Sequence, residues 1–242
     1  MIYPQPKKGK KWNIHYRDPT NCSSNQKRTE VKDGILTINP DVALLTETWL
    51  QEDDQEFNII GYNPTMRCDR PTRDEKGKKL ERGGGVLILA KDYIKITGAV
   101  AHPLSKDIQV IKFVLDKITF FAVYRTPTTN KDNHRILTEF LEKQLKKLGN
   151  QPFIITGDMN LKDLAKKEFD PNLIPVGAET IHGLQVKTYK HMWTMLLKKH
   201  NIDQHVEEPT NINGSILDYV FAPDYLDIPK IRGDRHSFPA SI

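Results

Sequence analysis

The stretch "PFIITGDMNL", residues 152–161, decides how this chain is read. Its apolar and β-branched run marks a buried strand, yet it ends in Gly157, Asp158, Met159 and Asn160. Gly157 lets the backbone bend. Asp158 and Asn160, two positions apart on an extended segment, then project to one side at the strand's carboxyl end. A carboxylate that polarises water, beside a carboxamide that both donates and accepts hydrogen bonds, suits phosphoester hydrolysis. The same residues also make a good helix N-cap for the "LKDLAKK" that follows. Taken alone, the stretch leaves both readings open.

Similar runs lie on either side. "KWNIHY" (11–16), "DVALLTET" (41–48), "GGVLILA" (84–90), "IQVIKFVLD" (108–116), "ITFFAVY" (118–124) and "ILDYVFA" (216–222) all read as strands. In the fourth, Ile111, Phe113 and Leu115 alternate with Lys112 and Val114, the period of a sheet face. Lys117 then leads straight into the next strand, which predicts an antiparallel hairpin. Helical spacing puts Ile136, Leu137, Phe140, Leu141, Leu145 and Leu148 on one face of "NHRILTEFLEKQLKKLG", with Gly149 as the stop. A second helix fits residues 188–201 and a third, weaker one residues 25–38. Strands outnumber helices, and helical excursions interrupt the hairpins. This pattern predicts a layered α/β or α+β sandwich with helices outside two sheets.

A chain of 242 residues is long enough to bury roughly 70% of its unfolded surface in one core. No repeat or Gly/Ser linker divides it, so one domain over residues 12–242 is expected, preceded by a basic tail at 1–11. Two cysteines, Cys22 and Cys68, are too few for a disulfide framework or a thiolate zinc site. An intracellular protein is therefore expected, nuclear if the host is eukaryotic. No apolar run approaches the ~20 residues of a membrane span. Lys and Arg outnumber Asp and Glu by 36 to 31, which favours a polyanionic partner. The basic segment at 67–81 reads equally as a phosphate-tracking element or as a solvated loop.

Polar residues recur at the strand ends. Glu47 follows "DVALLT", where one carboxylate and several waters could hold a divalent cation. Asn13 sits in a strand that otherwise prefers an apolar residue. Tyr124 and Arg125 come just before Pro127 stops their strand, and Asp218 lies inside an apolar strand where a charge requires a partner. Asp234 and His236 stand near the end of the chain. "RGGG" (82–85) lacks the Lys-Ser/Thr of a phosphate-binding loop and reads as a tight turn into an interior strand. His182, His191 and His205 have no spacing that suggests a metal. Collected at the ends of separate strands, the polar residues argue for a hydrolytic site.

The ordered set "WNI", "LLTETWL", "RGGGVLIL", "FAVYRTP", "ITGDMNL", "EEPTNINGSILDYVF" and "DRHSFP" resembles the endonuclease/exonuclease/phosphatase (deoxyribonuclease I-like) superfamily. It is most similar to the apurinic-type endonuclease domain of non-LTR (LINE-type) retrotransposons, Pro209 and Thr210 ahead of "LDYVF" pointing to that branch. The resemblance implies a four-layer α/β/β/α sandwich, two central mixed β-sheets flanked by helices. It implies a Mg²⁺ site, with Mn²⁺ able to substitute, at Glu47 with Asn13 and Asp234. Asp158 would orient or deprotonate the attacking water, and Asn160 would hold a phosphate oxygen. His236 would contact the scissile phosphate with Asp218 fixing its imidazole, Tyr124 would sit against the phosphate or leaving group, and Arg125, Arg82 and Thr210 would bind substrate.

The partners implied are double-stranded DNA and a fused or companion reverse transcriptase, the enzyme itself being a monomer. One departure stands out: the family's adjacent Ser-Asp-His is replaced by Gly233-Asp234-Arg235-His236. Either Arg235 is an insertion, or it occupies the position of the acid. Three functions compete: a strand-nicking endonuclease, an abasic-site nuclease or phosphatase of the same fold, and a DNA-binding module whose catalysis has decayed.

Overall fold

Strands that are apolar on both faces need cover on both faces, and the architecture provides it. The computed structural model describes residues 2–3, 14–17, 24–54, 56–127, 131–161, 180–181, 184–185, 189–210 and 214–228. In chain order its elements are β1 (Ile2–Tyr3), β2 (Ile14–Arg17), α1 (Asn25–Ile38), β3 (Val42–Thr46), β4 (Tyr62–Cys68), β5 (Val86–Lys91), β6 (Thr97–Ser105), β7 (Ile108–Leu115) and β8 (Ile118–Arg125). Then follow α2 (Lys131–Leu148), β9 (Phe153–Asp158), β10 (Thr180–Ile181), β11 (Leu184–Gln185), α3 (Tyr189–Lys199), β12 (Ile202–Gln204) and β13 (Asp218–Pro223).

Two mixed sheets result. The first has the order β1-β2-β3-β5-β4 and the second β12-β13-β9-β8-β7-β6, while β10 and β11 form a small ribbon. The parallel pairs are β2 with β3 and β8 with β9, and the other pairs are antiparallel. Val42, Leu44, Val86 and Ile88 of the first sheet pack with Ile111, Phe113, Phe120, Ala122, Ile154 and Val220 of the second. The opposite face of the first sheet packs Ala43, Leu45, Leu87 and Leu89 on Val31 and Ile35 of α1. The opposite face of the second packs Val110, Phe121, Val123, Ile155 and Phe221 on Leu137, Leu141 and Leu145 of α2 and on Trp193 of α3. The four-layer α/β/β/α sandwich follows from this division of apolar residues. Each fully buried large side chain stabilises it by about 1.5–3 kcal/mol.

The helix signals operate as read. The Ser24 hydroxyl accepts from the amide of Lys27 and caps α1, which ends on left-handed Asn39. Gly149 (φ 59°) ends α2 with its amide on the carbonyl of Leu145. The helix expected over 188–201 spans Tyr189–Lys199. It is tied to α2 by Glu142, which accepts from Lys199 at 2.6 Å and meets His200 at 2.9 Å. Between β7 and β8, Asp116 and Lys117 both have positive φ, as a two-residue hairpin turn requires.

The sequence reading omitted β1, β4, β6 and β12, which are all edge strands, and the β10–β11 ribbon. β4, β6 and β12 are mostly exposed or half-buried, which removes the continuous apolar signature, and β4 and β6 each contain a proline, which edges tolerate. Gly157 also has a different reason from the bend expected of it. A Cβ there would lie 1.9 Å from the carbonyl oxygen of Val123, so glycine is needed for β9 to lie against β8. Among the described residues no helix is long and apolar enough to cross a membrane.

Candidate active site

Parity along the strands settles which polar residues meet. Even-numbered residues of β3, β5, β8, β9 and β13 pack into the layer between the sheets. Tyr124, Asp158 and Asp218 share that parity and stand at one end of it. In register, Tyr124 of β8 pairs with Asp158 of β9, and Asp158 pairs with Asp218 at the start of β13. Residues directly opposite each other in register project from the same face. From the first sheet, Glu47 follows the last residue of β3, and the Tyr124 hydroxyl donates to its Oε1. Glu47, Tyr124, Asp158 and Asp218 thus come from four strands of two sheets to one edge of the sandwich.

Glu47 is half-buried and intensively bonded. Its Oε2 accepts the indole Nε1–H of Trp49 at 2.7 Å and the backbone N–H of Gly84 at 2.8 Å. These donors and the Tyr124 hydroxyl are all neutral, and no Lys or Arg pairs with Glu47 among the described residues. The "RGGG" segment is therefore more than a turn into β5. A Cβ on Gly84 would come within 2.6 Å of Gln109 Oε1 and 3.0 Å of the Tyr124 ring, and one on Gly85 within 2.4 Å of Thr48 Oγ1.

At the end of β8, Arg125 is 2% exposed. Its Nε donates to the Met159 carbonyl at 2.8 Å and its Nη2 to the Asn160 carbonyl at 2.9 Å. Asn160 returns a bond from Nδ2 to the Arg125 carbonyl at 2.7 Å, and its amide donates to Asp158 Oδ1 at 3.1 Å. This lock holds Asn160 at φ 50°, a left-handed conformation that asparagine adopts more readily than most residues. Asp158 is buried and its Oδ1 accepts the amide of Asn160, so a turn rather than an extended segment follows β9; residues 162–167 of the expected capped helix lie outside the described residues. Burial, reinforced by the nearby Arg125 guanidinium, pushes the His134 imidazole on α2 down to about 4.

The remaining expected site residues fall into two groups. Arg82 donates to Asp54 at 2.7 Å and to the Trp49 carbonyl at 3.2 Å, so it braces the loop that carries Glu47. The Thr210 hydroxyl accepts the amides of Leu217 and Asp218 at 2.9 and 3.1 Å and fastens the entry to β13. Asn13, Asp234, Arg235, His236 and His182 lie outside the described residues. Ile14, next to Asn13, pairs with Val42 at the end of β3 opposite Glu47. His205 is buried with Nδ1 on the Ile228 carbonyl, and His191 is half-buried on α3. The basic segment at 67–81 contains an ordered turn in which Asp74 accepts the amides of Lys76 and Lys78. Trp49 and Gly84 were missed as site residues. The available signals were an aromatic residue two places after the acid and three successive glycines before a strand.

The donor chemistry suits a hard divalent cation. Glu47 brings a carboxylate oriented by neutral groups, with no Lys or Arg paired to it among the described residues. No group of three His, Cys, Asp or Glu gathers among the described residues to cage a metal. Mg²⁺ retains several waters and is typically bound through one or two carboxylates plus substrate phosphates, so Glu47 fits that ion.

A family model described as the endonuclease/exonuclease/phosphatase family matches residues 12–231. No curated protein matches the sequence. Among solved structures, a 3′ phosphatase from Neisseria bound to a product DNA hairpin has a TM-score of 0.58 at 11% identity, covering 87% of this chain and 86% of that one. The endonuclease domain of TRAS1, a telomere-specific non-LTR retrotransposon, has 0.51 at 16% identity, covering 87% and 84%. A mannosyl-6-phosphatase of Bacteroides thetaiotaomicron has 0.55 at 14% identity, covering 88% and 85%. At these identities the likeness is one of fold.

Proposed function

We propose a function from the premise that this chain belongs to the endonuclease/exonuclease/phosphatase family, enzymes acting on phosphoesters: it is a Mg²⁺-dependent endonuclease that nicks one strand of duplex DNA and leaves a 3′-hydroxyl. The observation that carries the reading is the junction of Tyr124 with Glu47, in register with Asp158 and Asp218. A hydrolytic centre for an anionic ester needs an acid-ligated cation and a base on one spot, and this junction supplies the carboxylates for both.

A phosphodiester repels hydroxide, so hydrolysis requires positive charge at the oxygens where negative charge grows. Bound Mg²⁺ supplies that charge, and Glu47 is the described residue that would hold it. Asp158, nearly buried at the end of β9, orients the attacking water and takes its proton. Asn160 has spent one Nδ2–H on Arg125 and keeps the second for a phosphate oxygen. Tyr124 is placed between Glu47 and Asp158 to meet the phosphate or the leaving oxygen. By the family resemblance, His236 would contact the phosphate with Asp218 fixing its imidazole, and Asp234 would assist the cation. In the setting favoured by the likeness to non-LTR endonuclease domains, the monomeric enzyme works in the nucleus and a reverse transcriptase extends the nick.

The test is nicking of supercoiled plasmid with and without Mg²⁺, with abasic duplex and phosphomonoesters as competing substrates. Asp158→Ala should lose about 10²- to 10⁴-fold in rate while its circular dichroism stays unchanged and the lost cap on the Asn160 amide costs only about 1 kcal/mol of stability. An undiminished rate in that variant overturns the assignment. Activity confined to abasic sites or to monoesters replaces the nicking reading with the repair or phosphatase one.

A further inference from the structure

We infer that Trp49 is a positioning residue for Glu47: its indole and the Gly84 amide clamp one carboxylate oxygen so that the other alone is offered to a divalent cation. The inference rests on the reading of Glu47 as a cation ligand given above.

The backbone first shows that something holds this segment. Glu47 and Trp49 both have left-handed φ, 52° and 56°. Side chains of this size in that region typically cost about 1–3 kcal/mol each and persist only where the surroundings enforce them. The enforcement is a closed ring of bonds. The Trp49 amide donates to the Gly84 carbonyl at 2.9 Å, the Gly84 amide donates to Glu47 Oε2 at 2.8 Å, and the Trp49 indole donates to the same oxygen at 2.7 Å. Arg82 secures the ring from outside, with Nη1 on the Trp49 carbonyl and on Asp54. Gly84 could not be replaced without striking Gln109 and Tyr124, so the ring needs glycine for its closeness.

Counting lone pairs gives the consequence. A carboxylate oxygen accepts about two hydrogen bonds. Oε2 already has two donors and is full, whereas among the described residues Oε1 has only the Tyr124 hydroxyl and keeps one position. Glu47 is thereby restricted to one-oxygen ligation on the side of Tyr124, with Asp158 in register beyond it. Without the indole N–H, Oε2 regains a lone pair and the carboxylate can turn about its last bond. Outer groups that orient a ligand in this way typically govern about 10- to 100-fold in metal affinity or activity.

The experiment uses the full chain. In wild type, the ¹⁵N–¹H resonance of the Trp49 indole is followed during Mg²⁺ titration without DNA, alongside the Mg²⁺-induced rise in melting temperature. The resonance should move with the same midpoint as the melting temperature. Trp49→Phe keeps the ring and removes the donor. It should raise the Mg²⁺ midpoint about 10- to 100-fold, in both the thermal shift and plasmid nicking, and leave the affinity for duplex DNA unchanged. A midpoint within about twofold of wild type overturns the inference. Should Trp49→Phe fail to fold, the wild-type resonance decides, and an indole signal indifferent to Mg²⁺ overturns it as well. Glu47→Gln separates the two claims. If it abolishes the thermal response while Trp49→Phe does nothing, only the positioning role falls. If it leaves the response intact, Glu47 is not the ligand and the cation assignment falls with it.

Discussion

The two sheets end at the candidate site in different ways. At the end of β3, three neutral groups, an indole, a glycine amide and a phenol, hold the Glu47 carboxylate. At the end of β9, a buried cation grips backbone: Arg125 fixes the carbonyls of Met159 and Asn160 and thereby sets the turn that follows Asp158. Neutral donors orient an anion without cancelling it, which suits a cation ligand. A guanidinium fork fixes peptide planes, which suits a base and a carboxamide whose separation must not drift. The first lip is thus built for charge and the second for geometry, and substitutions on the two should fail differently.

The largest effect should come from the carboxylates themselves. Glu47→Gln and Asp158→Asn should each lower the nicking rate by about 10²- to 10⁴-fold at almost unchanged stability, measured as single-turnover rates beside urea denaturation. A stability loss as large as the activity loss would break the comparison at its root. Next comes Arg125→Met, which leaves two buried carbonyls unpaired at ~1–3 kcal/mol each, for about 4 kcal/mol of lost stability by urea denaturation. On the opposite lip Trp49→Phe should cost only about 1 kcal/mol and show instead in the Mg²⁺ midpoint.

One pH-dependent effect belongs to the second lip, through His134 near Arg125. Folded His134 gains its proton only at about pH 4, against about 6.5 in the unfolded chain. Between those values the unfolded chain binds more protons, so stability is full above pH 6.5 and declines as pH falls toward 4, by roughly 3 kcal/mol. His134→Gln should flatten that part of the stability profile. The smallest change is expected from Arg82→Gln. Its pair with Asp54 leaves the Arg82 side chain 38% exposed, and about 1 kcal/mol or less should be lost on thermal unfolding.

Legibility followed burial. Interior strands such as β3, β5 and β9 are covered on both faces, and their unbroken apolar runs make them plain in sequence. The edge strands β4 and β6, half-exposed and containing Pro64 and Pro103, carry no such signature. Glu47, Tyr124, Asp158 and Asp218 were legible because a polar residue at the end of a buried strand conflicts with the strand's own pattern. Arg82, Arg125 and Thr210 were legible as donors or hydroxyls, but residue type does not name a partner. The partners proved to be Asp54, two backbone carbonyls and two backbone amides.

The sequence by itself determined the sandwich and the four strand ends of the site, because hydrophobic periodicity and its interruptions are local properties of the chain. Only the tertiary structure decided how those ends are held. The clasp on Glu47 draws on a backbone amide at Gly84 and a hydroxyl at Tyr124, residues 37 and 77 positions away. Hydrogen bonds over such separations depend on register and sheet packing to within fractions of an ångström, and a backbone N–H is the same for almost every residue type.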